Sequence, residues 1–309
     1  MRWVIAPLDP TYDLSDGARL MARYHRPATL EDALAIRARE DVTVLAGGTD
    51  VYPAHAARAG WGDMRQADIL DISALPSLRG IAEEAAQWRI GALTTWTDLI
   101  RAELPPLFDG LKLGAREIGG VQIQNRGTLA GNICTASPAG DGAPNLLTLD
   151  ASVELASTQG RRVVPMAEFI DGYRHTQCRA DEIVTAIQVP KPRAEARSCF
   201  LKLGARKYLV ISIVMVAGVI ETDAAGNIAT ARLAIGSCSA IPQRLPALET
   251  ALAGRPLEAA VQVVARAHLA PLAPIDDIRG SAAYRRHAAL ALVRDLLAQL
   301  ASASRRRAA

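Results

Sequence analysis

Two glycine-bearing segments, about eighty residues apart, hold the residues whose types and spacing could do chemistry. The first is Ala46-Gly47-Gly48-Thr49-Asp50. The second begins as Thr128-Leu129-Ala130-Gly131-Asn132 and ends as Ser137-Pro138-Ala139-Gly140-Asp141. Glycine permits turns and close approaches that a Cβ would prevent, so both segments can present backbone N–H groups to an anion such as phosphate. One such loop is weak evidence, and two together favour a phosphate-containing ligand.

The elements around the first segment support the same interpretation. The β-branched and apolar run at residues 42–45 predicts a buried strand that leads directly into the glycine loop. Thr49 or Asp50 could cap a short helix, and Pro53 falls in its first turn. Such a helix would direct further free N–H groups and a positive dipole end at the same place.

Composition excludes several function classes. The chain has 309 residues, of which 50% are hydrophobic and 22% charged, with a formal net charge of +3. The cations are spread along the chain without interleaved aromatic residues, so we expect no nucleic-acid partner. The four cysteines contain no Cys-x-x-Cys pair and the histidines no paired ligand spacing, so no metal site is predicted from local spacing. Cys134, inside the second segment, is interpreted as a small buried filler rather than a nucleophile.

Hydropathy favours a protein of the cytoplasm. The apolar stretch within residues 1–7 is far shorter than the roughly 7–15 residues of a secretory signal core. The longest apolar run, residues 208–220, falls well short of the ~20 residues that cross a bilayer. We therefore expect cytoplasmic location and no membrane span.

The order of predicted elements indicates an α+β protein with two folding units. A helix capped by Thr29 precedes the first glycine loop, and a helix capped by Thr95 lies between predicted strands. A polar, proline-containing stretch at residues 191–197 predicts a boundary that divides the chain into residues 1–193 and 194–309. The second unit is predicted to have three strands, at residues 198–203, 210–220 and 228–235, followed by helical stretches at residues 248–252, 257–269 and 282–300.

The two segments, with their neighbours, resemble the FAD-binding subunit of the molybdenum hydroxylases, the group that includes xanthine dehydrogenase, carbon monoxide dehydrogenase and 4-hydroxybenzoyl-CoA reductase. The resemblance covers nearly the whole chain. Its motifs run in order through Tyr24-His25-Arg26-Pro27, Ala46-Gly47-Gly48-Thr49-Asp50, Gln124-Asn125-Arg126-Gly127-Thr128, Gly131-Asn132-Ile133, Ser137-Pro138, Asp181-Glu182-Ile183 and Phe200-Leu201-Lys202-Leu203-Gly204. Each motif is common, but their order and spacing together are specific. The family usually has two glycines where this chain has Ala130-Gly131.

The resemblance implies a two-subdomain FAD-binding fold of the vanillyl-alcohol-oxidase (PCMH) type, followed by a small C-terminal domain of a three-stranded sheet with packed helices. It also implies the residues that contact non-covalently bound FAD. Asp141 would accept a hydrogen bond from FAD, Ile133 and Ile183 would line the flavin ring or its approach, and Lys202 would lie near the ring. The remaining implied contacts are Ala46, Gly47, Gly48, Thr49, Asp50, Thr128, Gly131, Asn132 and Ser137.

The resemblance further implies an oxidoreductase subunit in a heterotrimer. Molybdopterin would be carried by one partner subunit and [2Fe-2S] centres by another, and FAD would pass electrons to NAD+ or another acceptor. The chain has no Gly-x-Gly-x-x-Gly after a predicted strand, so a nicotinamide would dock over the flavin rather than on its own Rossmann domain. Two alternatives stay open: a stand-alone flavin oxidoreductase, and a non-catalytic assembly subunit without cofactor.

Overall fold

The structure, a computed structural model of the chain, describes residues 22–60 and 67–308. The stretch at residues 1–7, from which no export signal is predicted, lies outside the described residues. Helices and strands are mixed along the described chain, which confirms the predicted α+β class.

The first part of the described chain forms a small parallel sheet. Its strands are β1 (Tyr24–His25), β2 (Thr43–Leu45) and β3 (Ile69–Asp71), with β3 in the middle. Helix α1 (Leu30–Arg39) connects β1 to β2, and helix α2 (Val51–Gly60) follows β2. Thr29 caps α1 as predicted, because its side chain accepts a hydrogen bond from the Asp32 amide at 3.1 Å. Since the strands are parallel, the loops that follow them meet at one edge of the sheet.

A five-stranded antiparallel sheet forms the second subdomain. Its strands are β4 (Ile81–Glu83), β5 (Gln87–Gly91), β6 (Ser152–Ser157), β7 (Gly160–Pro165) and β10 (Ile183–Pro190), in the spatial order β4-β5-β10-β6-β7. The helices between β5 and β6 are α3 (Trp96–Arg101), α4 (Asp109–Glu117), α5 (Val121–Gln124), α6 (Leu129–Thr135) and α7 (Gly142–Thr148). After β7 come helix α8 (Met166–Phe169) and a hairpin of β8 (Ile170–Gly172) and β9 (His175–Thr176). A capping box at Thr95 begins α3, as predicted.

The C-terminal unit is an antiparallel sheet covered by helices. Its strands, in spatial order, are β11 (Ala196–Leu203), β12 (Val214–Thr222), β13 (Ile228–Gly236) and β14 (Gln243–Arg244). Its helices are α9 (Pro246–Leu252), α10 (Ala260–Val263) and α11 (Ala282–Ala308). The three predicted strands are present, and β14 adds a fourth that the resemblance did not imply. A two-residue strand is too short to show an alternating pattern.

Two details of this unit differ from the sequence prediction. Strand β12 begins at Val214 rather than at residue 210, because residues 204–213 form a loop. The predicted helical stretch at residues 257–269 is broken into 3-10 turns at Leu257–Ala259 and Arg266–Leu269 with α10 between them. Helix α10 ends before Val264, whose backbone is extended and whose β-branched side chain slightly lowers helix propensity.

Helix α7 joins the second subdomain to the C-terminal unit through both of its ends. At its C-terminal end, Arg232 Nε donates to the Thr148 carbonyl at 2.7 Å, and Arg244 Nη1 donates to the Leu147 carbonyl at 3.1 Å. Arg244 also pairs with Asp150 at 3.0 Å. The N-terminal end of α7 is held by a buried ion pair that belongs to the candidate site.

Candidate functional site

The structure brings the two predicted glycine segments into direct contact. A Cβ built on Gly47 would lie 1.9 Å from the Arg126 carbonyl oxygen, just before the second segment. A Cβ on Gly127 would lie 3.2 Å from Thr49 Oγ1 of the first segment. At position 47 only glycine allows the two backbones to approach this closely, because a Cβ would overlap the Arg126 carbonyl group.

The first loop leaves β2 and turns with its amide groups unpaired. Gly48 has φ +75, in the left-handed region that favours glycine. Within the described part of the chain, the N–H groups of Gly47, Gly48 and Thr49 donate to no backbone or side-chain acceptor. A run of unsatisfied backbone donors on a turn is a typical site for an anion.

The second segment is held rigidly by its own side chains. Thr128 caps α6, its Oγ1 accepting a hydrogen bond from the Gly131 amide at 2.9 Å. Asn132 Oδ1 accepts a hydrogen bond from the Gly142 amide at 3.1 Å and so connects α6 to α7. Ala130, where the resembled family usually has glycine, lies within α6 and is buried, and its φ is not positive. The alanine is therefore compatible with the local backbone.

A cleft of about 460 Å³ lies between the loops, within the roughly 300–1,000 Å³ typical of cofactor sites. Asp50 spans one side of it, with Oδ2 at 3.4 Å from Thr135 Oγ1 and 3.8 Å from the Arg174 guanidinium. The predicted site residues that line this cleft are Ala46, Gly47, Gly48, Thr49, Asp50, Thr128, Gly131, Asn132 and Ser137. Nine of the thirteen implied contacts thus share one cavity.

A second cavity, the polar pocket, adjoins the cleft across the first loop. Its volume is about 200 Å³, and it shares Ala46, Gly47 and Thr128 with the cleft. Its other lining residues include Arg26, Ser73, Arg79, Thr95, Asn125 and Arg126. The two cavities therefore lie on either side of the first loop, whose amides are unpaired.

Two of the implied flavin neighbours lie in the core rather than in the cleft. Ile133 is fully buried among the apolar residues of the second subdomain. Ile183 is 2% exposed and packs in the core shared with α1, β3 and Leu93. In this structure neither side chain lines the cleft.

The last two implied contacts, Asp141 and Lys202, pair with each other. Lys202 Nζ lies 2.6 Å from Asp141 Oδ2, and the two side chains are only 7% and 5% exposed. Ser212 Oγ donates to Asp141 Oδ1 at 2.6 Å. Burial raises the pKa of Asp141, an effect that the Lys202 charge and the Ser212 hydroxyl oppose. Asp141 precedes α7 and adjoins Gly140 of the cleft wall, so this pair holds the N-terminal end of α7 to β11 and the loop before β12.

Some residues at the cleft were not among the predicted contacts. Ile118, Ile123 and Trp96 give the cleft an apolar wall, and Arg174 lies at its edge. The interpretation of Cys134 as a buried filler was wrong, because its side chain is exposed and lines the cleft. No local pattern marks which side of α6 faces a cavity formed by a distant loop.

The residues present fit a flavin dinucleotide. Unpaired amides on the first loop match the diphosphate, and the glycines leave room for it beside the backbone. The apolar wall suits an aromatic ring system, and the polar pocket suits a sugar and phosphate. Among the described helices, none combines the length and the hydropathy needed to traverse a bilayer.

Comparison with known proteins agrees with this geometry. A protein-family model described as the FAD binding domain in molybdopterin dehydrogenase matches residues 19–192, and one described as the CO dehydrogenase flavoprotein C-terminal domain matches residues 200–300. The nicotinate dehydrogenase FAD-subunit of Eubacterium barkeri is 34% identical over 245 residues, covering 76% of this chain and 80% of that one. The xanthine dehydrogenase FAD-binding subunit of Escherichia coli O157:H7 is 32% identical over 288 residues, covering 92% and 97%.

A solved structure shows the same fold. The carbon monoxide dehydrogenase of Hydrogenophaga pseudoflava, in a form that lacks the Mo-pyranopterin moiety, aligns with a TM-score of 0.78 and 29% identity. The alignment covers 89% of this chain and 96% of that chain. The first family model spans more than half of the sequence, and the relatives are matched over most of their length. The chain therefore belongs to the FAD-binding subunits of the molybdopterin-dependent dehydrogenases, a family of oxidoreductases, as the sequence motifs predicted.

Proposed function

We propose that this chain is the FAD-binding electron-transfer subunit of a cytoplasmic, multi-subunit molybdenum hydroxylase. It takes electrons from [2Fe-2S] centres of one partner subunit and passes these electrons to NAD+ or another acceptor. A second partner subunit carries molybdopterin. The observation that carries the proposal is the contact between the two glycine loops, which places the unpaired amides of the first loop at the wall of one cleft. The names of the relatives support the partners, because they describe subunits of dehydrogenases.

The two parts of the chain take different roles in this proposal. We assign residues 1–193 to FAD binding and residues 194–309 to the C-terminal domain, a boundary supported by the matched ranges and by the change of sheet between β10 and β11. The cysteines are all free thiols, which is typical of cytosolic proteins. Bound FAD supplies the capacity to accept electrons singly and release them in pairs.

The residues of this chain bind and orient that cofactor. The amides of Gly47, Gly48 and Thr49 hold the diphosphate, and the Gly47 contact with Arg126 keeps the opposite wall at a fixed distance. Ile118, Ile123 and Trp96 exclude water from the ring. The Lys202 ammonium pairs with Asp141, which adjoins Gly140 of the cleft wall.

The proposal is tested by expressing the full chain with added FAD and measuring its absorption spectrum after gel filtration. We expect a flavin spectrum and one FAD per chain. Purification of the tagged chain from its native host should then recover partner subunits with molybdenum and iron. A chain that never acquires flavin contradicts the proposal, and steady turnover of a substrate by the isolated chain would support a stand-alone oxidoreductase instead.

Gly48→Val separates the flavin subunit from a non-catalytic assembly subunit. The substitution forces a β-branched residue into φ +75, and its Cβ would lie 2.7 Å from the Tyr52 ring. The left-handed backbone costs valine about 1–2 kcal/mol even before that contact. If the free loop relaxes to relieve this strain, FAD binding must restore it, so FAD affinity should fall by at least roughly tenfold. Measured by fluorescence titration of the flavin-free chain, an unchanged affinity would show that the loop does not hold the cofactor.

A further inference from the structure

One buried arginine of the C-terminal unit lies outside both cavities of the candidate site. Arg285 is near the start of α11, and its side chain is only 4% exposed. Arginine is almost never buried to this extent unless its charge and its donors find partners. The partners of this guanidinium therefore indicate what it does.

The guanidinium binds three separate loops. Its Nη2 lies 2.7 Å from Asp277 Oδ1, and its Nη1 donates to the Ile213 carbonyl at 2.6 Å and to the Ser237 carbonyl at 2.9 Å. Ile213 precedes β12, Ser237 follows β13, and Asp277 lies in the loop before α11. The planar fork of donors on one arginine thus fixes the positions of these loops relative to one another.

Ser237 passes this constraint to the second glycine segment. Its amide donates to the Pro138 carbonyl at 2.9 Å. Its backbone has φ +62, a left-handed conformation that is unfavourable for a residue with a Cβ and persists where its surroundings hold it. The bond from Arg285 to the Ser237 carbonyl is one such support. Ser137 and Ala139, on either side of Pro138, both line the cleft.

A second connection runs through the loop before β12. Ile213, which Arg285 holds, directly follows Ser212, and Ser212 Oγ donates to Asp141 Oδ1 at 2.6 Å. Asp141 ends the second glycine segment, next to Gly140 of the cleft wall. One guanidinium therefore supports residues 137–141 at two points.

We infer that Arg285 is a positioning residue for the FAD site, which holds residues 137–141 in place through Ser237 and Ser212. Within the described chain, its own hydrogen bonds reach none of the residues that line the cleft. The inference rests on the proposed function, since it assumes that the cleft binds FAD. Under it, the FAD affinity of the cleft depends on a side chain of α11.

The test compares Arg285→Met with Arg232→Met in the full chain stripped of flavin. Arg232 is the matched control, because its side chain is only 14% exposed and pairs with Glu221 at 2.8 Å, yet it bonds to the Thr148 carbonyl, outside the cleft lining. Fluorescence titration measures the FAD dissociation constant, and urea unfolding measures stability. Arg285→Met should raise the dissociation constant about tenfold, because it loses charged hydrogen bonds that are each worth at least that factor. Arg232→Met should lose stability but bind FAD as wild type does.

A second substitution tests the route through Ser237. Glycine takes a positive φ at little cost and keeps the amide that donates to Pro138. Adding Ser237→Gly to Arg285→Met should therefore recover part of the lost FAD affinity. Failure to recover any affinity contradicts the route through Ser237.

Arg285→Lys decides the question if the methionine variant does not fold. It keeps a positive charge beside Asp277, but an ammonium lacks the planar fork that binds three loops at once, so FAD should again bind more weakly. The inference is overturned if the folded Arg285 variant keeps wild-type FAD affinity, or if Arg232→Met weakens FAD binding as much. A wild-type chain that binds no FAD at all would instead remove the proposed function itself.

Discussion

The Gly47→Ala variant is expected to lose FAD. An added Cβ would lie 1.9 Å from the Arg126 carbonyl oxygen and 2.6 Å from its carbon, so the two loops must separate. These contacts are with backbone atoms, which cannot rotate away as a flexible side chain can. We expect the dissociation constant for FAD to rise at least about a hundredfold, which corresponds to about 2.7 kcal/mol. The flavin content after gel filtration and a fluorescence titration measure the effect.

The matched control for Gly47 is Gly60→Ala. Gly60 ends α2, the helix that follows the same loop, and a Cβ there would meet nothing within 4 Å. This variant should bind FAD as wild type does. Gly47→Ala with normal flavin content would mean that the contact between the loops does not shape the site.

The Lys202→Met variant is expected to be strongly destabilised. Removing the ammonium leaves the Asp141 carboxylate buried with Ser212 as its remaining side-chain partner, and breaking a buried pair in this way costs about 3–5 kcal/mol. Urea unfolding of the flavin-free chain at pH 8 measures the free energy. Lys191→Met is the control, because Lys191 also lies 2.6 Å from a carboxylate, Glu83, but at the surface, where such pairs contribute about 0–1 kcal/mol.

The stability lost in Lys202→Met should also depend on pH, in a defined direction. Burial already raises the pKa of Asp141 in the folded protein, and loss of Lys202 removes a charge that opposes this rise. A group whose folded pKa lies above its unfolded value stabilises the fold below the unfolded pKa, and that contribution is lost as pH rises through the folded pKa. The stability gap between variant and wild type should therefore shrink as pH falls toward the ordinary aspartate value of about 3.9.

A double variant tests the cause of that gap. Adding Asp141→Asn to Lys202→Met removes the stranded carboxylate and should restore part of the lost stability at pH 8. The gap should then be nearly independent of pH. A gap in the single variant that widens on acidification would show that Asp141 does not carry the effect.

Local signals in the sequence predicted the parts of the fold that local interactions determine. The helices capped by Thr29 and Thr95 were correctly placed, because a cap and the amides it satisfies lie within a few residues. The glycine loops were also recognised locally, and the family motifs fixed their order. Nine of the implied contacts consequently lie together in the cleft.

What the sequence could not show depends on residues far apart in the chain. Lys202 and Asp141 were assigned separately to the flavin, and nothing local indicates that they pair across 61 positions. The exposure of Cys134 depends on which face of α6 meets the first loop, and the two-residue strand β14 depends on a partner, β13, already in place. The arginines of the polar pocket come from loops of both subdomains, so only the folded chain brings them together.

The attachment of α7 at both ends makes this short helix a connection between the second subdomain and the C-terminal unit. Lys202 and Ser212 hold its beginning, while Arg232 and Arg244 bind the carbonyls at its end, and all four residues belong to the C-terminal unit. The apolar core of the second subdomain also includes Val219 and Ala234 from that unit. Separating the second subdomain from the C-terminal unit would break both polar anchors and open that core, so these two parts should unfold in one cooperative transition rather than independently.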